Sequence, residues 1–92
     1  MAHTIGEKKK LLNRVRRIRG QMEAIERGLE HEVECSQTLH GIAACRGAMD
    51  ALMAEVIEGH IRLHVLDPKV KAPAEQSRAA EDLIDALKAY LR

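Results

Sequence analysis

The sequence contains no Phe and no Trp, and Tyr90 is its one aromatic residue. Its apolar 46% is therefore aliphatic: 13 Ala, 10 Leu, 7 Ile, 5 Val and 4 Met. Without aromatic platforms for stacked bases, a single-strand nucleic-acid binder is disfavoured. Proline occurs twice, at 68 and 73, and the six glycines are never adjacent, so no flexible linker or low-complexity tract divides the chain. Only two cysteines are present and no apolar leader precedes them, which argues against a disulfide scaffold and for reduced thiols in the cytosol. No apolar run approaches the roughly 20 residues of a membrane span. There is no glycine-rich phosphate loop, no H-E-x-x-H and no nucleophile elbow. Cys35 with His60 as its base is a formal possibility, but a 92-residue chain this poor in aromatics offers little substrate pocket, so no enzyme is expected.

Ninety-two residues suit one domain, residues 1–92, whose burial as a lone chain is marginal, and oligomerisation is the expected remedy. The net charge of +1 conceals an asymmetry. Residues 1–20 carry seven bases against Glu7 alone, a net of +6, which leaves eight bases and thirteen acids, a net of −5, for the rest. A basic segment of this density is either a solvated helix face or the footprint of an anionic partner.

The apolar spacing is helical throughout and predicts an all-α fold of two long helices and a shorter C-terminal one. Leu11, Val15, Ile18, Met22, Ile25 and Leu29 recur at alternating steps of four and three, a heptad seam. Thr4 and Glu7 can form a capping box at its start, and the helix is expected over 4–30. A second helix, from Cys35 to about Val65, carries one stripe of Leu39, Ile42, Cys45, Met49, Leu52, Val56 and Leu63. Ala43, Met53, Ile57, His60, Ile61 and His64 widen it. A helix apolar on two faces is usually buried between partners, and Gly41, Gly47 and Gly59 could permit close approach. Asp67-Pro68 ends the run. Ala80, Leu83, Ile84, Leu87 and Leu91 mark a third helix over 73–91, with Pro73 and Glu75 suited to its first turn.

His60 and His64, four apart, share a helix face and can converge on one ion. Cys35 lies 25 positions earlier, about 37 Å away on a straight helix, and cannot join them within one chain. An antiparallel copy of the helix from a second subunit would bring its Cys35 beside them and bury the surplus apolar face. One thiolate and two imidazoles suit Zn, Ni, Co or Cu. His3, beside an Ala2 amine exposed by removal of the initiator Met, adds one or two nitrogens. His31, His40 and Cys45 are read as structural, Cys45 as core. Lys10, Arg14, Arg17 and Gln21 form a separate stripe on the first helix. Its bases can neutralise phosphates and its Gln can reach a base edge of double-stranded DNA, although no recognised reader motif is present.

RVRRIRGQMEAIER (14–27), EC (34–35) and IAACRGAMDALMAEVIEGHI (42–61) resemble the CsoR/RcnR family of small helical bacterial repressors, over nearly the whole chain. The resemblance implies antiparallel dimers paired into disc-shaped homotetramers, and an apo-protein that binds operator DNA until an effector at an intersubunit site releases it. Copper sensors of the family use Cys, His and Cys, whereas the last position here is His64. Formaldehyde sensors share the Cys and the first His, but usually have Pro after the initiator Met and a non-His residue last. Nickel/cobalt sensors carry His near the N-terminus, then Cys, His and His, which matches His3, Cys35, His60 and His64 one for one. Arg17 stands where some of them have Lys. The reading that follows is a cytosolic Ni(II)/Co(II)-responsive repressor of a metal-efflux gene, with Zn(II) a further possible ligand. A formaldehyde-responsive repressor acting through Cys35 and the N-terminal amine, and a metal-binding oligomer without DNA affinity, are the alternatives.

Overall fold

A computed structural model describes residues 5–65 and 71–91. Three α-helices follow in order: α1 (Ile5–Glu30), α2 (Cys35–His60) and α3 (Ala74–Tyr90), with a π-helical turn (Ile61–Val65) continuing α2. Among the described residues there is no strand, and the all-α expectation stands. Thr4, half of the expected capping box, lies outside the described residues.

α1 ends in a tight reversal that sets up the α1–α2 hairpin. The Glu32 amide donates to the Leu29 carbonyl at 3.3 Å and the Val33 amide to the Gly28 carbonyl at 3.0 Å. This pair of bonds is the Schellman pattern, with Glu32 in the left-handed position that glycine usually fills, φ 53°. A Cβ on Gly28 would lie 3.1 Å from Val33 Cγ2, so glycine there leaves room for the Val33 side chain. Glu34 then caps α2 with its backbone carbonyl, which accepts from the Gln37 and Thr38 amides. Gly41 lets the two helices approach closely, since a Cβ there would meet Ile25 Cγ1 at 3.3 Å, and Gly59 is buried. Gly47 has nothing within 4 Å and serves no such role within the chain.

The heptad seam of α1 is divided. Ile18 is buried and Leu11 and Ile25 half-buried, while Val15, Met22 and Leu29, the alternate members, are 44%, 54% and 63% exposed. On α2, Cys45 is buried and Leu52 half-buried, whereas Leu39, Ile42, Met49, Met53 and Val56 remain exposed. The stripes expected on α2 therefore regroup. Cys45 and Leu52 leave the first stripe for the buried side, and Met53 joins the open one, because residues three apart on a helix lie roughly 60° apart around its axis. Met22, Ile42 and Met49 line one apolar groove, so the open sets of the two helices meet on one face.

The expected single helix to Val65 changes character at Ile61, where the π turn begins. Ile61 is buried with Ala80 and Ile84 of α3, and Ile57 and Leu87 pack against them. Pro73 sits just before α3 as its cap, its carbonyl accepting from the Ser77 amide at 3.0 Å. Ion pairs tie α3 to α2: Lys88 Nζ lies 2.7 Å from Glu58 Oε1, and Arg62 bridges Glu58 and Glu81. The Lys88 hydrogen bond holds the Glu58 carboxyl below its ordinary range against the opposing effect of burial, with Arg62 adding to the lowering. Arg62 does the same to Glu81, and its own guanidinium is held above its ordinary value by Glu81 and then Glu58.

The Cα envelope measures 56 × 27 × 12 Å, a plate about one helix thick. Its 7263 Å² of accessible surface exceeds the roughly 5,400 Å² expected of a compact chain of 10.3 kDa. The excess of about 1,900 Å² is what one protomer loses in a large obligate interface.

Candidate functional site

Cys35 is the first residue of α2 and His60 the last, and both are exposed. Twenty-five residues of helix separate them by about 37 Å, so one chain holds them at opposite ends of the plate. Among the described residues no three of His, Cys, Asp and Glu gather as a metal-binding group. His64 falls in the π turn, where the α-helical spacing assumed for His60 and His64 no longer applies unchanged. Its side chain, like His3 and Ala2, lies outside the described residues. His60 and the backbone of His64 thus share one end of the molecule, and Cys35 does not join them. Cys45 is buried, as a core residue, at the floor of the apolar groove that Met22, Ile42 and Met49 line, and His31 and His40 are exposed.

The basic stripe on α1 is more occupied than its sequence suggests. Arg14 donates from Nε to Glu55 Oε2 at 2.9 Å and from Nη2 to Oε1 at 3.1 Å, a two-pronged pair. Lys10 Nζ lies 3.2 Å from the same Oε1. Arg17 is exposed and pairs with no acid among the described residues. Gln21 is half-buried, and its Oε1 is sealed from solvent without a donor. Lys8, Lys9, Arg16 and Arg19 are exposed on the same helix, Arg16 leaning on Asn13 at 3.4 Å and Arg19 on Glu23 at 3.9 Å. Such exposed pairs hold their side chains weakly, which leaves the N-terminal half of α1 a cationic edge able to follow a phosphate backbone. Glu55 is the residue that reading the sequence missed. Its signal was an acid inside the otherwise apolar stretch Ala51–Ile57, a place where a carboxylate needs a cationic partner.

The protomer is thus a thin helical plate with a cationic edge, an uncovered apolar face, and a thiol and an imidazole at opposite ends of one helix. The chain belongs to the metal-sensitive transcriptional repressors, whose family profile matches residues 7–89. It is 41% identical over 88 residues to the transcriptional repressor RcnR of Salmonella paratyphi B, covering 96% of this chain and 92% of that one. A protein from Serratia marcescens, described only as uncharacterised and lying in the bioA 5′ region, is 48% identical over the full length of both. Among solved structures it resembles a Glu-to-His variant of the formaldehyde-responsive regulator FrmR from Salmonella enterica serovar Typhimurium. That likeness has a TM-score of 0.70 and 39% identity, over 98% of this chain and 99% of the other. The family consists of repressors, not enzymes, and membership implies DNA binding, self-assembly and a metal effector. No described helix is long and apolar enough to cross a membrane.

Proposed function

We propose that the protein is a Ni(II)/Co(II)-responsive repressor, which binds operator DNA as a metal-free homotetramer and releases it on binding metal. The observation that carries this reading is the donor set: His3, Cys35, His60 and His64 supply one soft and three borderline ligands, with His64 where a copper sensor of the family has Cys. The fold supports sharing the set between subunits, since Cys35 and His60 end the same helix and the face between them is apolar and uncovered. An antiparallel partner would cover that face and set its Cys35 beside His60 and His64, with His3 and the Ala2 amine completing the shell. The metal would supply a fixed positive charge joining the start of α1 to the far end of α2. Lys10, Arg14, Arg17 and Gln21 lie on that same α1, so its position is what the effector would bias; couplings of this kind amount to about 1–3 kcal/mol.

Anaerobic titration of reduced protein with Co(II), followed by absorption and by mobility shift on DNA from upstream of its own gene, tests the proposal. Expected are a thiolate–metal band lost in Cys35→Ala, weak d–d bands of a six-coordinate ion, and DNA release that His64→Ala abolishes. Metal binding indifferent to both residues would overturn it.

The likeness to the FrmR variant favours a second reading. In it the Cys35 thiol adds to formaldehyde, and the N-terminal amine then displaces water to leave a methylene bridge. The chain gains one carbon in mass without metal, and DNA is released by formaldehyde alone.

A further inference from the structure

Glu55 holds two of the four residues assigned to the DNA face. Both of its oxygens take Arg14 in the forked geometry a guanidinium also uses for phosphate, and Lys10 adds a third contact. The carboxylate is the less exposed partner, 23% against 35% for Arg14 and 66% for Lys10, so the cations reach outward over it. Together they line a concave cleft of about 290 Å³, with Lys88 and Glu58 paired to each other along its far wall. Three cations and two anions thus surround a hollow in which Glu55 is the anion nearest the basic stripe.

We propose, resting on the repressor reading, that Glu55 sets operator affinity by occupying the place of a DNA phosphate. Lys10 and Arg14 must exchange or share this internal anion before they engage the operator. Glu55 contacts no DNA itself and acts through the two cations. Two opposed effects follow from the pair. It pre-orders the Arg14 side chain, which helps binding, and it removes one unit of charge from the face, which hinders it. The charge effect dominates, because a phosphate would order the forked Arg14 side chain much as Glu55 does, whereas each phosphate neutralised steepens the salt dependence by about 0.9.

The test is fluorescence anisotropy of the metal-free, full-length protein on DNA from upstream of its own gene, over a salt series. Glu55→Gln keeps the side chain's shape and removes its charge. It should bind roughly three- to tenfold tighter at ~0.15 M salt, with a slope of log K on log salt steeper by about one for each protomer touching DNA. Placed on Lys10→Ala/Arg14→Ala, the same change should do nothing, as a residue acting through those cations requires. Equal or weaker binding by Glu55→Gln, at unchanged helicity and assembly size, would overturn the proposal and make Glu55 a structural tie. Should that variant not fold, Glu55→Ala removes the same charge with a smaller side chain. Tighter binding and a steeper slope are then expected, and unchanged or weaker binding overturns the proposal. A wild-type chain that binds no DNA sinks the repressor reading itself, a result separate from either variant's.

Discussion

The two halves of the α1 heptad seam have different fates. Leu11, Ile18 and Ile25 turn toward α2 of the same chain, whereas Val15, Met22 and Leu29, one step away in the same repeat, stay exposed with Leu39, Ile42 and Met49 of α2. A strict heptad supplies two adjacent rows, and a hairpin of two helices can cover only one of them. The first row makes the protomer and the second is left for an assembly. The exposed members of the seam thus mark a face left for an assembly, and not poor packing within the hairpin.

That contrast can be broken most severely on the open row. Met22→Asp with Met49→Asp places charge on a face that nothing in the hairpin uses. Self-association should weaken by about 100-fold or more, roughly 3 kcal/mol. Sedimentation velocity should show smaller species, with melting that falls as the protein is diluted. On the closed row, Ile18→Ala empties a buried site and should cost about 2–4 kcal/mol. Denaturant melts should show that loss at every protein concentration, unlike the first pair.

The α3 end belongs to the closed part of the molecule and should respond to acid. Glu58 and Glu81 titrate lower in the folded chain than unfolded, so each contributes stability above the ordinary carboxylate range that is lost as pH falls through the folded value. Thermal melts between neutrality and about pH 3 should fall more steeply for the wild type than for Glu58→Gln/Glu81→Gln. The smallest effect expected is at the α1–α2 reversal. Glu32→Gly removes a side chain from a left-handed position and should stabilise by about 0.5–1 kcal/mol, again without concentration dependence in the melts.

Much of this architecture was legible in the residues. The alternating fours and threes from Leu11 to Leu29 placed α1 within a residue, and the apolar breadth of α2 announced an uncovered face. What stayed hidden depends on contacts between elements. Which row of the heptad faces inward is decided by α2, not by α1. The π turn at Ile61 arises where α3 packs, through Ala80 and Ile84, and leaves no mark in local spacing. The site divides in the same way. Cys35 and His60 were separable by counting along a helix, and the structure sets them at its two ends. The pairing of Lys10 and Arg14 with Glu55, 45 and 41 residues away, could not be read from a stripe on one helix.

An effector site shared between protomers can be rebuilt by mixing two chains that are each defective in one half of it. Cys35→Ala and His60→Ala/His64→Ala subunits, each unable to bind, are unfolded together, refolded as a mixture and titrated with Co(II). A shared site is rebuilt once in every mixed dimer, so the thiolate–metal band should return at about a quarter of the wild-type intensity under random two-fold pairing. If mixed assemblies form and no band returns, the ligands do not come from opposite subunits, and the shared site is contradicted.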